Sequence, residues 1–387
     1  MTDAPEGQVR EADGGKISQA GERRDAYIES LRALGCVAVV MAHVGVTTLA
    51  LPPGVNQLDT AGDLFTRGVY GVGNIALFVF FAISGFAIYM PFAKRDFAGG
   101  GAVSLRRYAT NRALRILPLY YAVTAAVLLF IVGGATPEIW ARFLTFSQNF
   151  EDQTTYQFVN ASWSLVVELH FYLVLPLLAW VVARIARRSL GRAAAVLIGL
   201  ALACMALRLA TVGFADAPRP VWRASTLTNF QFILAGMVAA LFYLHLREHH
   251  PRWMRGPVLK SDLWLLATVP LIVPFTFIDY TWDVLCPLIA FLILGAAAFP
   301  RLDRGPVTRV LWWRPLAALG LASYSVYLWH IYVLDYFTGK GVDGFAALTL
   351  FVLPVSIAAA AVSYKLIEEP FLRLRRRWSP AAPRQEA

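Results

Sequence analysis

Residues 27–45 read YIESLRALGCVAVVMAHVG, and the interpretation of the whole fold starts from this stretch. It is apolar enough to cross a bilayer, yet it contains Glu29, Arg32 and His43. Ionisable groups at membrane depth are costly and are rarely retained without a function. At 100° per residue, the spacing of Arg32 and His43 puts both on one helix face, about 16 Å apart along the axis. The stretch therefore predicts a membrane helix that carries a base, with a cation on the same face.

Simpler explanations exist for each of these two side chains. Arg32 could extend its guanidinium to the inner membrane surface, as long basic side chains near helix ends commonly do. His43 could hydrogen-bond a neighbouring helix without any part in chemistry. Other ionisable groups at the same depth are therefore needed before a site is inferred.

The composition is that of a polytopic membrane protein. The chain has 387 residues, of which 58% are hydrophobic, and it contains 11 Trp. This excludes an ordinary soluble domain. The three cysteines, Cys36, Cys204 and Cys286, lie in apolar runs and have no metal-site spacing. They are interpreted as small core residues.

We predict an all-α transmembrane helical bundle of about ten helices. Residues 1–26 are polar and lack the apolar segment of a signal peptide, so we expect a disordered cytosolic tail. Residues 27–374 form the transmembrane domain, and 375–387 form a basic cytosolic tail. The ten predicted spans are 28–50, 70–92, 114–134, 162–183, 193–212, 226–246, 262–278, 282–299, 315–336 and 343–365.

The basic residues predict how the chain crosses the membrane. With ten spans, the two tails and the even-numbered loops contain 27 of the 35 Lys and Arg, and the odd-numbered loops contain five. Cytoplasmic segments carry such an excess, so both termini are expected in the cytoplasm of a bacterial cell membrane. The net charge of +10 then reflects loops beside anionic lipid, and no nucleic-acid partner is expected.

Two further ionisable groups are predicted near the depth of His43. His330, in LASYSVYLWHIYVLDY, falls about 22 Å from the inner end of the ninth span, as does His43 in the first. Glu168, in the fourth span, falls about 9 Å below the outer surface, with Ser164 and Tyr172 on its face. A carboxylate beside an imidazole can orient it as a base toward a hydroxyl.

Each of these groups also has a structural alternative. Glu168 could bond a helix neighbour or pair with Arg208, and His330 could be an interfacial histidine beside Trp329. His170 lies near the level of Glu168 and is expected to face elsewhere. The cluster, rather than any single member, favours a functional site.

A basic stretch precedes the third span. In RRYATNRALRILPLYY, Arg107, Arg112 and Arg115 recur at near-helical spacing where the chain re-enters the membrane. Arginine forks bind phosphates well. The alternative is a loop that is basic only because it is cytoplasmic.

Two other motifs are given structural interpretations. Ser84–Gly85 in LFVFFAISGFAIYM lacks the strand–turn–helix context of a catalytic serine, so we expect small residues that let helices approach closely. Glu368 and Glu369 are expected to meet arginines at the inner surface, and Pro370 to end the last helix.

Six motifs in order resemble the acyltransferase-3 family of integral membrane O-acyltransferases. They are Arg32-x10-His43, FFAISGF, RRYATNRALRILPLYY, SWSLVVELHFY, SYSVYLWHIYV and YKLIEEPF. The resemblance runs from about Tyr27 to Leu374. It implies ten core helices and acyl transfer from a coenzyme A thioester to a hydroxyl, usually on a sugar. It also implies functional roles for Arg32 and His43, with Glu168 and His330 as partners.

The chain departs from many members of that family at one motif. They have two acidic or amide residues after Trp-Ser, whereas here Leu169 and His170 follow Glu168. No fused esterase-like domain follows the membrane segment, which makes envelope polymers less favoured as acceptors. The Arg-rich, Lys-poor and Ala-rich composition suggests a high-GC bacterium, in which antibiotic tailoring is common. A macrolide-type acceptor is favoured over other sugar hydroxyls.

The expected mechanism assigns each residue a role. Arg32, Arg112 and Arg115 bind the phosphates of acyl-CoA, the only cofactor expected; no metal is implied. His43 acts as the base on the acceptor hydroxyl, with Glu168 and His330 as catalytic partners, and an acyl-histidine relay is an open alternative. A rival class is a transporter or flippase, in which the same buried charges carry protons or bind a polar solute.

Overall fold

A computed structural model describes residues 6–48, 64–215, 219–249, 261–277, 280–298, 310–311 and 313–378. Within these ranges every regular element is a helix, which confirms the all-α prediction. Nine helices of at least 13 residues, together with one pair of short helices separated by two residues, correspond to the ten predicted spans. Other short helices lie in the connections.

The longer helices, numbered here in chain order together with the shorter ones, are α1 (Glu6–Thr48), α2 (Leu64–Phe97), α3 (Leu105–Ala126), α6 (Ser162–Ala186), α7 (Leu190–Arg208), α9 (Thr226–His249), α12 (Cys286–Ala298), α14 (Ser323–Gly339) and α15 (Phe345–Ser363). The shorter ones are α4 (Pro137–Leu144), α5 (Asp152–Thr155), α8 (Pro220–Ala224), α10 (Ser261–Leu266), α11 (Val269–Phe277), α13 (Arg314–Leu321) and α16 (Glu369–Trp378).

Seven helices among the described residues are long and apolar enough to cross a membrane. An eighth span consists of α13 and α14, which meet at a bend of 68°. The predicted seventh and eighth spans are shorter apolar helices, Asp262–Pro274 and Asp283–Ala296. The polytopic bundle is confirmed, and "ten" holds only if these two short helices are counted as spans.

The first helix is longer than the sequence predicts. It begins at Glu6 and continues through 6–26, where the composition predicts a disordered tail. Once a membrane helix supplies the nucleus, each added residue gains a backbone hydrogen bond without a new nucleation cost. The polar residues before 26 can therefore extend the helix.

Close contacts show the relative directions of α1, α2 and α14. Gly35 faces Ala76 and Phe80, and Gly73 faces Ala38 and Ala42, so α1 and α2 are antiparallel. Cys36 Sγ donates to the carbonyl of Ser323 at 3.5 Å, and His43 meets His330, so α1 and α14 run parallel. These directions agree with the predicted alternation of the first, second and ninth spans.

Glycines set the closest approach in the core, between α2 and α9. A Cβ on Gly85 would lie 2.0 Å from the carbonyl oxygen of Ile233, and one on Gly236 would lie 1.8 Å from that of Ala82. No side chain fits at either position. The prediction that small residues at 84–85 allow helices to approach is confirmed for Gly85.

The segment 137–161 covers the beginning of α6. Gln148, fully buried, donates from Nε2 to Ser162 Oγ at 3.1 Å, and Asn149 donates to the carbonyl of Trp163 at 2.8 Å. Ser162 itself is fully buried. The helix therefore starts beneath a polar cap and not at the surface of the bundle.

Candidate active site

The structure brings His43 and His330 into contact. Their ring centroids are 4.9 Å apart at an interplanar angle of 68°, and His330 Nε2 lies 3.4 Å from His43 Nδ1. His330 is fully buried, whereas His43 is partly exposed. The pairing follows from the parallel packing of α1 and α14, since Cys36 and Ser323 each precede their histidine by seven residues.

Hydrogen bonds to backbone carbonyls define the tautomer of each neutral ring. Nδ1 of His330 lies 2.6 Å from the carbonyl oxygen of Tyr327, and Nδ1 of His43 lies 2.9 Å from that of Val39. A carbonyl oxygen only accepts, so each Nδ1 carries the proton and each Nε2 carries the lone pair. His43 Nε2 has no partner among the described residues, which leaves it free to accept a proton.

This arrangement has the chemical logic of an oriented base. If His43 Nε2 takes a proton, the ring becomes a cation whose Nδ1–H lies beside the lone pair of His330 Nε2. His330 then occupies the position that a carboxylate takes behind the histidine of a hydrolase triad. The pair can accept a proton from a hydroxyl without a charged side chain in contact with His43.

A second polar contact ties α14 to α6. The hydroxyls of Tyr327 and Ser164 are 2.8 Å apart, and the Tyr327 ring lies 5.6 Å from that of His330. Tyr327 thus holds His330 through its backbone carbonyl and reaches α6 through its side chain. Tyr327 has no distinguishing signal in the sequence, although its position three residues before His330 puts it on the same helix face.

Glu168 belongs to a different cluster. Its Oε1 accepts hydrogen bonds from the hydroxyls of Ser84 on α2 and Tyr172 on α6. The guanidinium of Arg112 lies over the Tyr172 ring, 5.9 Å from its centroid. The prediction that Tyr172 shares the face of Glu168 is confirmed. Ser84 is the hydrogen-bond donor in this contact. Glu168 supplies the partner that a hydroxyl buried in an apolar helix requires.

The structure does not place Glu168 beside the histidines. The antiparallel register of α1 and α2 brings Ser84, and with it Glu168, level with the Arg32 end of α1. Arg32 and His43 are about 16 Å apart along the helix. The His43–His330 contact agrees with the predicted common depth of the two histidines, whereas Glu168 bonds Ser84 and Tyr172. The start of α6, from which the depth of Glu168 is predicted, lies beneath the 137–161 cap.

The three arginines predicted to bind phosphate have three different surroundings. Arg32 pairs with Glu29 at 3.0 Å, and both side chains are partly exposed. Arg115 pairs with the buried Glu368 at 3.1 Å and donates to the carbonyl of Leu321 at 3.2 Å. Arg112 retains a buried Nε with no hydrogen-bond partner. Of the three arginines, Arg112 is therefore the one whose guanidinium has the fewest polar partners among the described residues.

Two alternatives from the sequence are resolved by contacts elsewhere in the bundle. Arg208 does not pair with Glu168: its Nε lies 2.6 Å from Asp283, and both side chains are buried. His170 faces away from the site, as predicted, with Nδ1 2.8 Å from Thr226 Oγ1. Glu368 and Glu369 meet Arg115 and Arg373, as expected, but the helix does not end at Pro370 and continues to Trp378.

Comparison with known proteins identifies the family. A family model described as "Acyltransferase domain" matches residues 25–365, nearly the whole chain. The fold and the site together define a class of protein: a helical membrane bundle with an oriented histidine pair. The chain belongs to the acyltransferase-3 family, and the resemblance seen in its motifs is confirmed.

Several curated proteins are similar at low identity. A Staphylococcus aureus protein provisionally named O-acetyltransferase is 23% identical over 381 residues, 89% of this chain and 56% of its own. Nodulation protein 10 of Rhizobium leguminosarum bv. viciae is 26% identical, covering 77% and 82%. Acyltransferase MdmB of Streptomyces mycarofaciens is 29% identical, covering 80% and 84%. The chain thus spans about half the length of the staphylococcal relatives. No solved structure matches.

Proposed function

We propose that this protein is an acyl-CoA-dependent membrane O-acyltransferase that moves an acetyl or other short acyl group to a hydroxyl. One observation carries the proposal: Nε2 of His43 is free, because the proton of that ring is on Nδ1, beside the Val39 carbonyl and His330 Nε2. Family membership supports acyl transfer over the transporter interpretation, because the same buried polar groups then have a chemical role.

In the proposed reaction, His43 Nε2 takes the proton of the acceptor hydroxyl as its oxygen attacks the thioester carbonyl carbon. The carbon–sulfur bond breaks, and the coenzyme A thiolate leaves with the proton that His43 accepted. His330 stabilises the transient imidazolium by accepting from Nδ1–H. The step is balanced: one ester bond forms, one thioester bond breaks, coenzyme A leaves as the thiol, and His43 returns to its neutral form.

The acyl donor is proposed to approach from the Arg32 end of α1. Arg112 supports this, because its guanidinium lies over Tyr172 with an unpartnered Nε, close to the Glu168 cluster. A phosphate is a suitable ligand for a guanidinium with an unpartnered N–H. Arg32 is a second candidate, while Arg115 is engaged by Glu368. Glu168 is assigned a positioning role for Tyr172 and Arg112 in place of its predicted role behind His43.

The acceptor is proposed to be a hydroxyl of a macrolide-type natural product or a sugar. The chain is 29% identical to an acyltransferase from a Streptomyces species and 26% identical to a nodulation protein. The Arg-rich composition points to a high-GC bacterium. The protein is proposed to lie in the bacterial cell membrane with both termini cytoplasmic, on the basis of its asymmetric Lys and Arg.

The function is tested by incubating membranes that contain the protein with radiolabelled acetyl-CoA and hydroxylated acceptors. Formation of labelled ester, dependent on both substrates, is the expected result. Solute efflux from the same membranes without any ester would support the transporter interpretation instead. A reporter that is active only outside the cell membrane, fused after Ala387, tests the orientation. Activity of this fusion would overturn the cytoplasmic position of the C-terminus.

A further inference from the structure

A large groove lies at one end of the bundle, away from the histidine pair. It has a volume of about 920 Å³ and is bounded by the end of α2, the 98–104 connection and the end of α6. Arg95, Trp180, Arg184 and Arg188 are among its lining residues. Ligand sites commonly have volumes of about 300–1,000 Å³, so the groove is large enough for an organic ligand.

One side of the groove is basic. Arg95 is neutralised by Asp96, which accepts hydrogen bonds at 2.6 and 2.8 Å. Arg184 lies over the Trp180 ring, 5.4 Å from its centroid, and Arg188 is exposed. Within the described part of the chain, neither Arg184 nor Arg188 has a carboxylate partner. The groove therefore presents two uncompensated positive charges.

The backbone beside these charges is strained. Arg187 and Arg188 have φ values of 45° and 64°, in the left-handed region that residues with a Cβ rarely adopt. Arg187 closes α6, donating its N–H to the carbonyl of Ala183 at 3.1 Å. Glycine or asparagine usually occupies such a position. The sequence instead has two arginines here, beside the groove.

The other side of the groove is apolar and faces outward. Leu177, Trp180 and Leu105 line it and are 62%, 53% and 55% exposed. Leu173, one turn earlier on α6, is 71% exposed. In a membrane bundle such side chains meet lipid chains, and tryptophan is enriched at the membrane–water interface. The apolar strip on α6 thus leads directly from the lipid to Arg184 and Arg188.

We propose that this groove binds an anionic phospholipid. The phosphate of the headgroup lies between Arg184 and Arg188, and an acyl chain lies along Leu173 and Leu177. Basic pockets between helices bind anionic headgroups by the same electrostatics. The nucleotide of coenzyme A also carries phosphates, but it has no hydrocarbon chain to cover the apolar strip. The lining does not include the histidine pair, and lipid binding here does not depend on acyl transfer.

Native mass spectrometry of the full chain, released from micelles, tests the proposal. Phosphatidylglycerol and phosphatidylcholine with identical acyl chains are titrated in parallel. Phosphatidylglycerol should be retained at least tenfold more strongly than phosphatidylcholine, and the double variant R184A/R188A should lose that preference. The double variant R184K/R188K should keep it, since both charges remain. R247A/R314A removes the same charge from exposed positions elsewhere on the chain and should also keep it.

Three outcomes would overturn the proposal. The first is equal retention of the two lipids by the unmodified protein. The second is an equal loss of preference in R247A/R314A, which would indicate only the overall positive charge. The third is unchanged lipid retention in R184A/R188A together with weaker binding of coenzyme A, which would assign the groove to the nucleotide. Binding is measured without turnover, so the result stands apart from the test of acyl transfer.

Discussion

His330 Nε2 lies 3.4 Å from His43 Nδ1, and this contact joins two residues that are 287 positions apart in the chain. The backbone carbonyls of Tyr327 and Val39 put the proton of each ring on Nδ1. The two imidazoles still differ, because His43 is the donor and His330 the acceptor in their contact. His43 presents a free lone pair, and His330 supports it from behind. The distinction between a base and a positioning residue leads to different expectations for the two histidines.

His330→Ala should lower turnover by about 10²-fold and leave the Michaelis constant for the donor nearly unchanged. The reason is that His330 supports the imidazolium that forms in the transition state but touches neither substrate. Turnover measured against pH provides the second readout: loss of the supporting lone pair should move the profile toward lower pH, because the protonated form of His43 is less stabilised and the free base prevails at lower pH. A variant with normal turnover and an unmoved profile would make His330 a packing residue.

Glu168→Gln should retain most of the turnover and leave the pH profile unchanged. Glu168 is bonded to Ser84 and Tyr172 and not to a histidine, and a glutamine oxygen can still accept from those hydroxyls. Glu168→Ala should lose more, mainly in donor affinity, because Tyr172 and Arg112 lose their support. Steady-state kinetics of both variants, with Ser84→Ala as a partner in a double-mutant cycle, measure this. A pH profile displaced in Glu168→Gln would return Glu168 to the role that the sequence predicts.

Arg112 and Arg115 should differ, although the sequence gives them the same role. Arg115→Ala leaves the buried Glu368 without its charge partner and should cost about 3–5 kcal/mol of stability. Glu368→Gln in the same chain should recover much of that loss. Arg112→Ala should instead raise the Michaelis constant for the donor with little effect on stability. Thermal unfolding in detergent and donor kinetics separate the two; equal behaviour would contradict the assignment.

Gly236→Ala should destabilise the bundle or prevent its assembly. A methyl group there would lie 1.8 Å from the carbonyl oxygen of Ala82, so α2 and α9 must separate. Gly199→Ala is the matched control, since it lies in α7 with no heavy atom within 4 Å of the added carbon. The melting temperatures of the two variants should differ by several degrees. Similar melting temperatures would show that the α2–α9 contact is looser than described.

Hydropathy and basic-residue counts predicted the helical bundle and the alternating directions of α1, α2 and α14, because both depend on local composition. The His43–His330 contact followed from the equal depths predicted for the two histidines on parallel helices. The position of Glu168 did not follow from the sequence, because the 137–161 cap buries the start of α6. A depth that is counted from the end of α6 does not include this cap. Partners such as Arg208–Asp283 and Arg115–Glu368 depend on which helices are neighbours, and spacing within one helix carries no such information.

The most direct test of the account is the turnover of His43→Gln in the labelled acetyl-CoA assay, with His170→Gln as the matched control. Glutamine retains a hydrogen-bonding group but cannot act as the base. General-base assistance contributes about 10²–10⁴-fold, so His43→Gln should lose ester formation by that factor while still folding and binding the donor. His170 bonds Thr226 on another helix, so His170→Gln should keep its activity. Near-normal ester formation by His43→Gln would contradict the assignment of His43 as the base.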